Sequence, residues 1–298
     1  MGRTVALPRP MKPRDRLSYS AIVDRPRLPL PNGGRIAVWT IVNVEEWSID
    51  HPMPRTVLPP PRGEPLLPDL ANWAWHEYGM RVGFWRLLET VRATGYRATL
   101  ATNGSVCKTY PRVIEAALEE NWEIMGHGFL QGPMHKLADQ RQAIRDTIEA
   151  IHKATGKPPR GWESPGLTET FETPDLLAEE GIEYVADWVV DDQPVELKTT
   201  AGPLISIPYT VEVNDIPIMA LQQHASDILL RRGIDHFDRL YEEGATHTRV
   251  MAISVHPFLT GAPHRIKYLA ELYNYILSKP DVCMMTGEEI LDWYNSAR

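Results

Sequence analysis

Six short β-type runs in this chain end in residues able to do acid–base chemistry. "RIAVWTIV" (35–42) runs into Asn43, Glu45 and Glu46, and "YRATLAT" (96–102) into Asn103. "WEIMG" (122–126) runs into His127, "RGW" (160–162) into Glu163, "ADWVV" (186–190) into Asp191 and Asp192, and "MAISV" (251–255) into His256. Carboxylates and imidazoles suit general acid–base catalysis, and an imidazole also stabilises a developing oxyanion. No GxSxG elbow is present, and Cys107, after "NGSV", reads as a buried structural thiol. The set therefore favours activating a water over forming a covalent intermediate. A strand-end Asn or Asp taken singly is usually a turn former or a helix cap. Six runs ending alike point to one shared pocket.

Those residues need elements to bring them together. Between the runs lie stretches with helical character. They are "YGMRVGFWRLLETVRATG" (78–95), with Val82, Trp85, Leu88 and Val91 on one side, "YPRVIEAALEEN" (110–121) and "KLADQRQAIRDTIEAIHKATG" (136–156). "TPDLLAEEG" (173–181), two stretches within 224–244, "HRIKYLAELYNYILSK" (264–279) and "GEEILDWYN" (287–295) complete them. "EYVADWVV" (183–190) and "VCMMT" (282–286) read as further strands, and 192–223 is less regular. Repeated β-then-α units predict a parallel sheet covered by helices. About 250 residues of them fit a closed or distorted (β/α) barrel, whose C-terminal strand ends form the active face. Residues 1–34, proline-rich and ending in "PNGG", predict an extended arm ahead of a single barrel domain over 35–298. The proline-rich 51–69 excludes a regular helix or a central strand and reads as a long loop. Trp75 and His76 follow it and, with Trp162 beside Glu163, are candidates for a wall against a flat ring.

Composition removes several classes. The 298 residues are 43% hydrophobic, ample for a large core, and carry 31 Lys+Arg against 39 Asp+Glu, a net charge of −8. An acidic chain without a basic cluster is not expected to bind nucleic acid. No stretch of about 18 apolar residues suggests a membrane span, and the start has no apolar core long enough for a signal peptide. Ala6 stands where a myristoylation signal has Ser or Thr. The two cysteines, Cys107 and Cys283, lie far apart and predict no disulfide framework. A cytoplasmic protein is expected. No GxGxxG or GxxxxGK[ST] follows a strand, which removes the main support for nucleotide binding.

"NVEEW", "HEYGMRVGFWRLLE", "GHGF", "PRGWESPGLTETFETPDLLAEEGIEYVADWVVDDQP" and "VHPFLTGAPHR", in that order, resemble the polysaccharide deacetylase (NodB-type) superfamily over about residues 35–295. The likeness is to its allantoinase-like, cyclic-imide-hydrolysing branch. It implies a distorted (β/α) barrel that hydrolyses a non-peptide C–N bond of a small amide, most of all a cyclic imide or ureide. Homo-oligomers, tetrameric or dimeric, are implied too. Sugar deacetylases carry two aspartates after the first strand, where this chain has Asn43 and Glu45. Their HxxxH metal pair is matched by His127 but has Gln131 at its second member. The resemblance therefore implies a divalent ion, zinc by its N/O ligands, on Glu45 and His127 with His135 as the substitute third ligand. Without an ion, Glu45, Glu46, Glu163 and Asp191 are the acids able to activate water, with His127 or His256 as partner. Catalytic roles fall to Glu45, His127, Glu163, Asp191 and His256, and substrate contacts to Asn43, Glu46, Trp75, His76, Trp162 and Arg265. A metal-dependent N-deacetylase of an amino sugar, or an inactive relative that binds a small ligand, are the alternatives.

Overall fold

The structure is a computed structural model that describes residues 10–298. Its longest strand, β1 (Ile36–Val44), is buried along its whole length. β2 (Thr99–Thr102), β3 (Glu123–Gly126), β4 (Gly161–Trp162), β5 (Tyr184–Val185) and β8 (Arg249–Val255) are also buried at every position. Such strands read as continuous apolar runs because helices cover the outside and a second core fills the inside. Among the described residues the sheet runs β6 (Val195–Thr199), β7 (Gly202–Ser206), β5, β4, β3, β2, β1, β8, and β9 (Val282–Met284) pairs with the start of β1. Every pairing is parallel except the β6–β7 hairpin.

The far edge of β8 meets irregular backbone instead of a strand. Val250 N–H donates to the Asp192 carbonyl (2.9 Å), and Ser254 N–H to that of Val213 (3.1 Å). The barrel is thus closed by a loop, which makes it distorted as expected. The β6–β7 hairpin lies inside the stretch predicted to be irregular. A strand at the sheet's edge exposes one face, so its apolar pattern is broken, as in "VELKT". The two helical stretches predicted within 224–244 are one helix, Ile228–Glu243.

Two cores follow the strand period. Ala37, Trp39 and Ile41 of β1, Ala101 of β2, Met125 of β3, Tyr184 of β5, and Val250 and Ala252 of β8 fill the barrel interior. Val38, Val42, Val44, Leu100, Ile124, Met251, Ile253 and Val255, of opposite parity, pack under the helices. Gly161 completes the inner layer: a Cβ there would lie 2.0 Å from the Tyr184 ring, so only glycine admits it.

Of the arm expected over 1–34, the first nine residues, Ala6 included, lie outside the described residues. The remainder is laid on the body. The buried Arg16 pairs with Asp175 and donates to the carbonyls of Phe171 (2.6 Å) and Lys198 (2.9 Å). Leu30 enters the interior core. No helix among the described residues is long and apolar enough to cross a membrane.

Candidate active site

The inner row of side chains on each long strand ends in a polar residue of the same parity. Ala37, Trp39 and Ile41 continue to Asn43 and Glu45, Ala101 to Asn103, Met125 to His127, Gly161 to Glu163, and Val250 and Ala252 to His256. Parallel strands present these ends on one rim, so the sequence spacing of up to two hundred residues collapses into contact. Glu45, His127, Glu163 and His256 line one cavity of about 380 Å³ with Gln131, Tyr209, Asn214, Thr168, Arg55 and apolar residues including Val211, Ile216 and Leu221.

Glu45 is the hub. It is 6% exposed, and its Oε1 lies 3.6 Å from His256 Nε2 and 3.8 Å from His127 Nε2. Oε1 also accepts from Gln131 Nε2 (2.8 Å), and Oε2 from Trp47 Nε1 (2.6 Å). Burial acts to raise its carboxyl pKa, but the imidazoles of His127 and His256 outweigh burial and hold it well below the usual carboxylate range.

Each histidine is aimed by its other nitrogen. His127 Nδ1 donates to the Glu163 carbonyl (2.8 Å), so the ring nitrogen facing the cavity is Nε2, which has no hydrogen-bond partner among the described residues. Burial opposes its charged form, but Glu163 and Glu45 together raise its pKa. His256 Nδ1 bonds Asp215 Oδ1 (2.6 Å), while Asp215 Oδ2 accepts from the His256 N–H (2.7 Å) and the Thr260 hydroxyl (2.6 Å). Burial again works against the imidazolium, and the adjacent Asp215, helped by Glu45, lifts it to about 10.

Glu163 behaves differently. It is fully buried in the lining, and burial, with the charge of Asp187 behind it, pushes its carboxyl up to about 7 despite the opposing pull of His127 and the Tyr209 hydroxyl. Asn43 turns its amide nitrogen to both Glu163 oxygens (3.2 Å each) and accepts from the Ser254 hydroxyl (2.8 Å). The Tyr209 hydroxyl closes this network on Ser254 at 2.7 Å. A carboxyl with a pKa near neutrality, set beside two imidazoles, is the arrangement general acid–base catalysis requires.

Several expected site residues lie elsewhere. Asp191 pairs with Arg25 of the arm (2.7 Å), outside the cavity, because β5 ends at Val185 and the chain has turned away before residue 191. Glu46 and Trp162 have the wrong parity: Glu46 accepts from the Thr109 hydroxyl (2.9 Å), and Trp162 is buried in a core outside the barrel. Trp75 packs edge-on against Trp47 and Phe258, behind the cavity wall. His76 is also behind it, where its Nε2 donates to the Glu45 carbonyl (2.9 Å) and its ring stacks on Trp47. Burial lowers its pKa to about 4, so it positions Glu45 as a neutral ring. Arg265 is half-buried at the start of the helix Ile266–Leu277, also outside the lining. Asn43 does meet the site, through Glu163.

The implied metal ligands do not fit. His135 is exposed on the 3₁₀ turn Met134–Lys136, outside the cavity. Gln131 turns its N–H group to Glu45, and Asn103 donates to its oxygen (3.3 Å). Glu45 and His127 remain as two donors, and among the described residues no group of three His, Cys, Asp or Glu is placed to hold a metal ion.

Asp215, Tyr209, Asn214 and Arg55 escape the strand-end rule, since all four sit on irregular backbone. The one local signal was "VNDIPIM", in which Asp215 is the N-cap of the short helical segment Ile216–Leu221.

A parallel barrel with a buried carboxylate between two imidazoles at the C-terminal rim defines a hydrolase acting on carbon–nitrogen bonds other than peptide bonds. The chain is similar to the polysaccharide deacetylase superfamily, whose polysaccharide deacetylase family matches residues 75–185. A putative polysaccharide deacetylase of Schizosaccharomyces pombe is 28% identical, covering 88% of this chain and 91% of its own. The crystal structure of a probable polysaccharide deacetylase from Pseudomonas aeruginosa superposes with a TM-score of 0.83 at 27% identity, covering 93% and 98%. An allantoinase structure gives 0.82 at 25% identity, covering 95% and 99%.

Proposed function

We propose that this protein hydrolyses the acetamido C–N bond of an N-acetylated amino sugar, with Glu163 as general base and His256 as general acid. The observation that carries C–N hydrolysis is Glu45 buried between two imidazole Nε2 atoms at a cavity floor that also holds a carboxyl with a pKa of about 7. The relatives named for polysaccharide deacetylation support the acetamido group as the target. A cavity of about 380 Å³ is at the small end of ligand sites, so one sugar ring is bound at a time.

Glu45 is one of the four acids expected to activate water, but both its oxygens already accept hydrogen bonds and its carboxyl is strongly acidic. Its role is to favour the charged form of both imidazoles beside it. Ionised Glu163 takes a proton from water, and the hydroxide so formed adds to the acetyl carbonyl carbon. His127 and His256, each with Nε2–H toward the cavity, stabilise the oxyanion. His256 then passes its Nε2 proton to the amide nitrogen, the C–N bond breaks, and the proton held on Glu163 returns through solvent.

One observation favours a second reading, hydrolysis of a cyclic imide or ureide: the donor set for a metal ion is incomplete. The test is a substrate panel of N-acetylated amino sugars against small cyclic imides and ureides, scored as acetate release or ring opening. Turnover of the first class supports the proposal. Turnover of cyclic amides alone replaces it with the second reading, and no turnover of either overturns both.

A further inference from the structure

The charged residues at the cavity floor are Glu45, Glu163, His127 and His256, and among the described residues a single Lys or Arg, Arg55, stands in the lining. Arg55 comes from the proline-rich 51–69 loop. It is half-buried, and its side chain makes one hydrogen bond among the described residues, from Nη1 to the neighbouring Pro54 carbonyl (3.1 Å). No Asp or Glu oxygen among the described residues lies within salt-bridge reach of it. Of the other covered arginines, Arg16 pairs with Asp175, Arg25 with Asp191 (2.7 Å) and Arg249 with Glu243 (2.8 Å), whereas the half-buried Arg35, Arg86 and Arg265, which lack an Asp or Glu partner among the described residues, lie outside the cavity.

The loop is held in place beside it. The buried Asn72 accepts from the N–H groups of Val57 (2.7 Å) and Leu58 (3.0 Å) and donates to the Leu58 carbonyl (3.0 Å). Asn72 and His76 belong to one helix, Leu70–Tyr78, and His76 is bonded to the Glu45 carbonyl. One rigid element therefore sets both the catalytic hub and Val57 and Leu58, two and three residues beyond Arg55.

We propose that Arg55 is a specificity residue that binds a carboxylate on the substrate, a claim that rests on the hydrolytic reading of this cavity. A guanidinium takes a carboxylate through two parallel hydrogen bonds, a geometry that Lys does not reproduce. Glu45 and Glu163 repel the same carboxylate from the floor. The anion is thus kept at Arg55 while the neutral carbonyl to be hydrolysed faces the histidines.

The test uses two pairs that differ by one carboxylate: N-acetylmuramic acid against N-acetylglucosamine, and dihydroorotate against dihydrouracil. Binding is read by calorimetry and hydrolysis by steady-state kinetics, for the wild type, Arg55→Ala and Arg55→Lys. The wild type is expected to bind the carboxylated member of at least one pair roughly 10- to 100-fold more tightly, a preference that Arg55→Ala abolishes and Arg55→Lys restores in part. Where turnover occurs, the loss falls on KM, with kcat little changed and the neutral partner unaffected. Unchanged thermal unfolding of both variants excludes a folding defect. A preference that survives in Arg55→Ala, equal loss on both members of a pair, or no binding of any of the four compounds overturns the proposal. Carboxylate-selective binding without hydrolysis leaves it standing and removes the amide-hydrolysis reading instead.

Discussion

Asp215→Asn is the sharpest perturbation of this site. The substitution keeps the shape of the side chain and removes the charge facing His256 Nδ1 at 2.6 Å. In the intact protein His256 is lifted from an ordinary 6.5 to about 10 against the cost of burial. That rise corresponds to roughly 5 kcal/mol of preference for the imidazolium, of which the Asp215 charge and hydrogen bond are the leading favourable part. With only Glu45 left at 3.6 Å to oppose burial, the pKa is expected to fall toward 6.5 or below. At pH 8 the protonated fraction then drops from nearly all to about 3%, so loss of the general acid alone lowers kcat/KM about 30-fold. The assay is the pH profile of kcat/KM together with NMR titration of the His256 ring. The alkaline limb should move from about pH 10 to neutrality or lower. An Asp215→Asn enzyme that stays folded and keeps its alkaline limb near pH 10 refutes the role of the Asp215–His256 pair.

Other expectations follow from the same geometry. Glu163→Gln should lower kcat roughly 10²- to 10⁴-fold, and the wild-type profile should rise as Glu163 ionises through about pH 7; an acid limb that survives in Glu163→Gln assigns it to another group. Prolonged dialysis against a chelator should leave activity intact, whereas activity lost and then restored by added zinc would show that the donor set had been misread. Glu123, buried under the barrel and accepting from Tyr184 (2.5 Å) and Thr99 (2.7 Å), has its carboxyl raised by burial from 4.5 to about 7. The folded state therefore holds more protons than the unfolded one between those values, and stability should fall by on the order of 3 kcal/mol as pH rises across that window. Chemical denaturation of Glu123→Gln should show a correspondingly flatter dependence, and identical pH slopes would count against the assignment. Gly161→Ala places a methyl against the Tyr184 ring and should cost about 1–3 kcal/mol or more by denaturant midpoint, while a neutral effect would mean that the inner layer is loosely packed.

The amino-acid sequence by itself determined the alternation of strands and helices and the row of polar residues at the strand ends. Both are local: a buried strand is marked by its apolar run, and its side chains alternate with a period of two whatever lies around them. Glu45, His127, Glu163 and His256 were legible for that reason. The same parity, applied strictly, separates Glu45 from Glu46 and Glu163 from Trp162. Tertiary structure alone decided the rest. The two-residue β5 gave no length from which to judge its end, so Asp191 was placed at a rim it does not reach. Asp215 meets His256 across forty-one residues on backbone without a period, and Arg55 reaches the cavity only because Asn72 pins its loop. Contacts of that kind depend on where an irregular chain is tied down, and the tying groups are distant in sequence and carry no repeating pattern.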